Sequence, residues 1–209
     1  MDKVIGIDLG GTSIYGGLID KEGNILKRAS RDTKSAKGRK EVLKLISETI
    51  KELIQEDVLA IAIGSPGFIN SEEGKVLEVG GNIEGWANTD IKGELSKEFP
   101  NTPIFVENDA NVAALCEKWI GAAKDFKSFV MITLGTGLGG AIYIEKQGLL
   151  TGHNFQGAEL GHSILFPKGR QCNCGQRGCV EEYISGTAVE NIYFELTGER
   201  KEGKEIFKL

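Results

Sequence analysis

The sequence predicts an α/β protein of two similar lobes, and three observations make that prediction. Residues 3–120 read in order as three strands, a helix, a strand, a short helix, a strand and a helix, the pattern of a sheet covered by helices. The segment Ile132-Thr133-Leu134-Gly135-Thr136-Gly137 restates Ile7-Asp8-Leu9-Gly10-Gly11-Thr12 at an offset of 125. Two copies of one strand-turn-strand unit imply two lobes, residues 1–121 and 122–209. The 29 glycines fall in short groups beside apolar runs rather than in a repeat, which suits tight loops approaching a ligand.

Taken in order, Val4–Leu9 is the first strand and Ser13–Ile19 the second; after a turn at Lys21-Glu22-Gly23-Asn24, Ile25–Arg31 is the third. Between the first two, Gly10 and Gly11 let backbone N–H groups approach a phosphate, Thr12 adds a hydroxyl donor, and Asp8 can hold magnesium through water. An ordinary hairpin turn uses the same glycine pair. Residues 38–57 should be helical, with Val42, Leu45, Ile46, Ile50, Leu53 and Ile54 in one apolar stripe. Val58–Ile63 is a buried strand ended by a forced turn at Gly64-Ser65-Pro66-Gly67. An extended piece then runs from Gly74 to Gly80. Asn82 and Trp86, in the glycine-framed loop that follows, suit a sugar, although Asn82 is equally a turn former.

A short helix from Thr89 to Glu98 precedes the strand Ile104–Val106, which runs through Glu107 and Asn108 into a further helix. Val112, Leu115, Cys116 and Trp119 are expected on that helix's apolar face, with Cys116 a buried core thiol. Asp109 therefore stands at a strand's carboxyl end, where open sheets place ligands. A helix N-cap is the other role open to Asn108 or Asp109.

In the second lobe Gly135, Gly137 and Gly140 fit the dinucleotide fingerprint G-x-G-x-x-G, but that motif requires a helix next and the sequence supplies the strand Ala141–Ile144. A glycine turn facing the first one would instead grip a polyphosphate from its other side. Beyond it, Gly157–Glu182 holds one of the two histidines and three of the four cysteines. His162, Cys172, Cys174 and Cys179 form a complete tetrahedral zinc set, and Gly175 and Gly178 supply the backbone angles for wrapping it. A disulfide or plain reduced thiols are the other readings; a Cys-x-Cys pair is cramped for bridging, and no signal peptide marks an oxidising compartment. Four protein ligands leave no position for water, so the metal is expected to be structural and to hold Glu159, His162 and Glu181 in a fixed relation. After Val180 only a helix over Thr187–Leu196 and a charged tail are legible.

A net charge of -5, a pI near 5.3 and the lack of a basic run argue against nucleic acid or an anionic membrane as partner. No apolar run approaches membrane-spanning length, and the expected location is the cytoplasm.

Five motifs in order, DLGGT, ENDAN, LGTGLGG, GAELGH and CNCGQRGCVE, resemble the ROK family of sugar kinases, sugar-responsive repressors and uncharacterised relatives, and most of all its bacterial ATP-dependent glucokinases. The resemblance implies an actin-like fold of two ribonuclease H-type lobes and transfer of the γ-phosphate of ATP, with Mg2+, to the C6 hydroxyl of a hexose. It implies Asp109 as general base and Asn82, Asn108, Asp109, Glu159, His162 and Glu181 as sugar ligands. Asp8, Gly10, Gly11 and Thr12, with Gly135, Thr136 and Gly137, would contact ATP and its magnesium. His162 would bond zinc through one ring nitrogen and the sugar through the other. Family members continue well past residue 209, so the second lobe is expected to be incomplete and ATP affinity weak. A homodimer is common in the family.

Glucose is the implied substrate, although mannose, fructose, allose and N-acetylmannosamine also have kinases in the family, and some relatives use polyphosphate as donor. Two other readings stand beside the kinase. One is a sugar-binding remnant without transfer. The other is a repressor, which would carry a helix-turn-helix before the first phosphate loop; Asp8, so near the start, leaves no room for one.

Overall fold

The computed structural model describes residues 2–78 and 83–208. The chain divides into two compact units, Met1–Lys124 and Asp125–Leu209.

In the first unit, β1 (Lys3–Leu9), β2 (Ser13–Asp20) and β3 (Ile25–Asp32) form an antiparallel meander. Helix α1 (Arg39–Leu53) returns the chain to β4 (Val58–Ser65), which lies parallel to β1. A small hairpin of β5 (Phe68–Asn70) and β6 (Lys75–Glu78) and the helix α2 (Ile91–Ser96) lead to β7 (Ile104–Asn108), parallel to β4, and then to α3 (Asp109–Trp119). The five-stranded sheet has the order β3-β2-β1-β4-β7. Register places Asp8 of β1 beside Gly64 of β4, and Gly64 beside Glu107 of β7. The carboxyl ends of three parallel strands are thus level at the place where Asp8 and Asn108 occur.

The apolar stripe of α1 forms the core. Val42, Ile46, Ile50 and Leu53 are wholly buried against Ile5, Ile14, Leu18 and Ile61. A Cβ on Gly16 would lie 2.7 Å from both Leu53 Cδ1 and Thr49 Cγ2, so glycine lets the helix sit down on β2. The helix ends at Leu53, short of residue 57, because Ile54 turns to extended backbone with ψ 139°. Trp86 is also core, 0% exposed, with its indole N–H donating to Ser65 Oγ at 3.0 Å. It therefore offers no face to a sugar.

Helix α3 departs from its expected orientation. Ala110, Asn111 and Ala114 are its buried side, while Val112, Leu115, Cys116 and Trp119 are exposed. Small residues let the helix approach the sheet closely, and Leu115, Cys116 and Trp119 are turned away; Cys116 is not a core thiol. On the sheet face opposite α1, Gly6, Gly17, Ala62 and Gly64 help line a groove of about 720 Å3 that includes Asp8 and Val112.

In the second unit, β8 (Phe129–Leu134), β9 (Leu138–Ile144) and β10 (Gly148–Leu149) form an antiparallel sheet, followed by α4 (Glu181–Ile184), α5 (Gly186–Thr197) and α6 (Gly203–Ile206). β8 and β9 stand where the offset places them relative to β1 and β2, and the strand after Gly137 rules out the dinucleotide fingerprint. The two turns differ by one residue. Leu9 pairs with Ile14 across the first, whereas Leu134 pairs with Leu138 across the second. None of the described helices is long and apolar enough to cross a membrane.

Candidate functional site

In the first unit, Asn108 is the N-cap of α3. Its Oδ1 accepts from Asn111 N–H at 3.2 Å, and its Nδ2 donates to the Gly67 carbonyl at 3.1 Å. Glu107, which the sequence reading passed over, holds this corner: its carboxylate accepts from Asn108 N–H at 2.8 Å and from Asn111 Nδ2 at 3.1 Å. The only signal for Glu107 was its place beside Asn108 at the strand end. Asp109 is the first helical residue, where a carboxylate favours the helix dipole, and one of its oxygens accepts from Ala110 N–H at 2.8 Å.

The Asp109 side chain reaches solvent, yet the strand ends around it desolvate it in part. That desolvation, and after it the nearby Asp8 charge, hold its pKa above the ordinary carboxylate value against the pull of its backbone hydrogen bonds. Desolvation also raises Asp8. No hydrogen bond or salt bridge holds the Asp8 carboxylate among the described residues, which leaves it able to face a hydrated cation. Asn82 lies outside the described residues.

The first glycine turn is pinned from behind. Gly10 N–H bonds Ser13 O at 2.9 Å, the Gly10 carbonyl accepts from Thr33 Oγ1 at 2.7 Å, and the Thr12 carbonyl accepts from Thr33 N–H at 2.8 Å. Gly10 N–H is thereby engaged within the turn. The amides of Gly11 and Thr12 have no protein acceptor among the described residues. The second turn is built alike: Gly135 N–H bonds Gly137 O at 3.0 Å, and the Gly135 carbonyl accepts from Gly186 N–H at 2.8 Å.

Also in the second unit, His162 closes a short 3-10 turn (Leu160–His162) behind Glu159, an exposed residue. One nitrogen or sulfur atom from each of His162, Cys172, Cys174 and Cys179 lies within 4.8 Å of all the others. Cys172 Sγ is 3.6 Å from His162 Nδ1, and Cys174 Sγ is 3.6 Å from Cys179 Sγ. Ligands bonded tetrahedrally to zinc at about 2.0–2.3 Å are separated by about 3.5–3.8 Å, so the donor set fits that ion. The sulfurs stand too far apart for a disulfide, whose S–S bond is about 2.05 Å, and all four cysteines are free. Burial pushes the Cys172 thiol up to about 12; a bound divalent ion would displace that proton. Because Nδ1 faces the cysteines, Nε2 of His162 is the nitrogen left for a second partner. Gly178 is required here: its φ is +87°, and a Cβ would lie 1.8 Å from Phe166 O. Tyr183 braces the loop by accepting Arg170 N–H at 2.9 Å and packing edge-on against Phe166.

Glu181 is placed differently from a simple sugar ligand. Its Oε2 accepts Leu138 N–H at 2.7 Å, so one carboxylate oxygen belongs to the exit of the second glycine turn.

The α/β fold, with its mixed five-stranded sheet, matches that of solved ROK sugar kinases. Residues 4–209 match the ROK family, and the chain belongs to it. It is 43% identical over 191 residues to a glucokinase of Thermotoga maritima, a match covering 91% of this chain and 59% of that protein. Among solved structures it resembles a ROK hexokinase from Thermus thermophilus, with TM-score 0.84 and 34% identity over 99% of this chain and 68% of that one. It also resembles a ROK family glucokinase from Streptomyces griseus, solved with glucose and AMPPNP, with TM-score 0.80 and 34% identity over 94% of this chain and 62% of that one. The chain thus spans about three-fifths of the length of the glucokinases it matches.

Proposed function

We propose that the protein transfers a phosphoryl group from ATP to the C6 hydroxyl of a hexose, glucose first. The observation that carries this reading is Asp109: a carboxylate in the first turn of a helix, at the end of parallel strands, beside the unpaired acid Asp8. In the reaction Asp109 accepts the hydroxyl proton as the sugar oxygen forms its bond to the γ-phosphorus, the bond to the bridging oxygen breaks, and ADP departs with the electron pair. Magnesium, when bound, neutralises charge on the phosphates; Asp8 would hold it through water. The amides of Gly11, Thr12, Thr136 and Gly137 are the proposed phosphate donors, a narrower set than all residues of the two turns. Asn82, Asn108, Glu159, His162 and Glu181 are the proposed hexose ligands, His162 through Nε2 and Glu181 through the oxygen not given to Leu138. Zinc would be held by His162, Cys172, Cys174 and Cys179, where it would fix the tautomer and tilt of the imidazole. The relatives named as glucokinases support glucose over other hexoses.

The test is hexose-dependent ADP release across glucose, mannose, fructose, allose and N-acetylmannosamine, with Asp109→Asn as control. Removal of a general base is expected to cost about 10^2–10^4 in rate. Release equal to that of Asp109→Asn with every sugar would overturn the kinase reading, and glucose binding seen by calorimetry in the same sample would favour a sugar-binding remnant.

A further inference from the structure

We propose that Glu181 is a positioning residue that fastens the 135–137 glycine turn to the metal-binding loop, so that metal occupancy sets the geometry of the turn. Both flanks of the loop meet at one residue, Leu138, which leads out of the turn. On the cysteine side, Glu181 follows Cys179 by two residues and accepts Leu138 N–H at 2.7 Å. The carboxylates of Glu181 and Glu182 also lie within 4.8 Å of the Cys172 sulfur. On the histidine side, Gly161 adjoins His162 and its backbone rests directly on Leu138: a Cβ at Gly161 would lie 2.2 Å from Leu138 O. A few residues after Glu181, Gly186 N–H donates to the Gly135 carbonyl at 2.8 Å.

The turn is therefore held at its first carbonyl and at the amide that follows it, both by the segment that leaves the last cysteine. A Cβ on Gly137 would stand 2.6 Å from Glu181 Oε2, so glycine there is a condition of the contact. With those groups tied back, the Thr136 and Gly137 amides have no protein acceptor among the described residues and remain for a ligand. Four metal bonds fix where Cys179 sits and hence where Glu181 starts; without the ion, the charged hydrogen bond to Leu138 has no anchored base.

The consequence for phosphate rests on the assignment of this turn made above, and the experiment separates the two. Amide exchange is followed residue by residue on the full chain, loaded with zinc and after chelation. Loss of a hydrogen bond to a charged acceptor corresponds to about tenfold or more in local opening. Chelation is expected to speed exchange at Leu138 and Gly186 by at least that factor, with β1 and β2 unchanged. In the zinc-loaded protein Glu181→Ala should speed Leu138, and Glu181→Gln, which keeps an oxygen acceptor, should restore it; a space-filling role would show no such rescue. Leu138 protection that is the same with and without zinc overturns the proposal, as does protection unchanged in a zinc-retaining Glu181→Ala. If the alanine variant fails to fold, wild-type chelation and the glutamine variant decide. Magnesium and inorganic tripolyphosphate are then added to the zinc-loaded chain. Failure to protect Thr136 and Gly137 would sink the phosphate assignment while leaving the Glu181 coupling intact.

Discussion

Asp109 carries a stability cost that follows from its surroundings. Desolvation first, then the charge of Asp8, raise its folded pKa above the ordinary value it has in the unfolded chain. The folded state therefore holds its proton more tightly, and a stability penalty is present at neutral pH that fades as pH falls through the raised value toward the unfolded one. Asp109→Asn should raise the melting temperature at neutral pH, and the gain should vanish below the ordinary carboxylate range; thermal melts across pH measure it. In the proposed role of general base, which works only when ionised, the same shift would set the acid limb of activity. Asp8→Asn removes the charge that helps raise it, so the limb should move to lower pH in the surviving activity or in a carboxyl NMR titration of Asp109. The presence of these residues was legible in the sequence because each stands where a strand meets a turn or a helix. The hidden facts were pairings: that Asn108 caps α3 with its Oδ1 while its Nδ2 ties to the Gly67 carbonyl, and that Glu107 holds it. A hydrogen bond between residues three or forty apart leaves no mark on periodicity.

At the scale of elements, α1 was the clearest reading because six apolar residues fall at helical spacing on one side. Ile50, wholly buried, makes the corresponding prediction: Ile50→Ala should cost about 2–5 kcal/mol in urea unfolding. Helix α3 misled for the complementary reason. Its apolar spacing was genuine, but only packing against β4 and β7 could decide which side goes down, and the side of Ala110 and Ala114 fits closest. The metal loop was read from ligand spacing alone, whereas the backbone that makes it possible is three-dimensional. Gly178→Ala would drive a Cβ into Phe166 O, so the variant should fail to retain zinc, as measured by metal-to-protein ratio after gel filtration.

For the whole molecule, the main contrast is in where apolar residues are buried. The hydrophobic cluster, from Ile5 to Val106, belongs entirely to the first unit. In the second, the buried apolar residues among those described are Leu138, Ala141, Cys172, Cys179 and Ala188, and two of these five belong to the metal set. A unit with so little core of its own would draw much of its stability from an ion held by that proposed set, as small metal domains do. Chelation should therefore lower the stability of the second unit by several kcal/mol. Both tryptophans, Trp86 and Trp119, lie in the first unit. Tryptophan fluorescence should hold while near-ultraviolet tyrosine signals and far-ultraviolet ellipticity change. Because the thiols must lose protons to bind, zinc retention should weaken as pH falls.

The sequence by itself determined the α/β class, the duplicated strand-turn-strand unit, the position of Asp109 at a strand end and the grouping of His162 with Cys172, Cys174 and Cys179. These follow from local periodicity, from glycine where backbones bend, and from ligand chemistry at short spacing. Tertiary structure alone decided that Trp86 is core, that α3 faces the sheet with its alanines, that the second turn is one residue tighter, and that Glu181 grips Leu138. Each of those depends on which distant surfaces approach closely enough to exclude water or share a proton, and that is a property of packing rather than of neighbours in the chain.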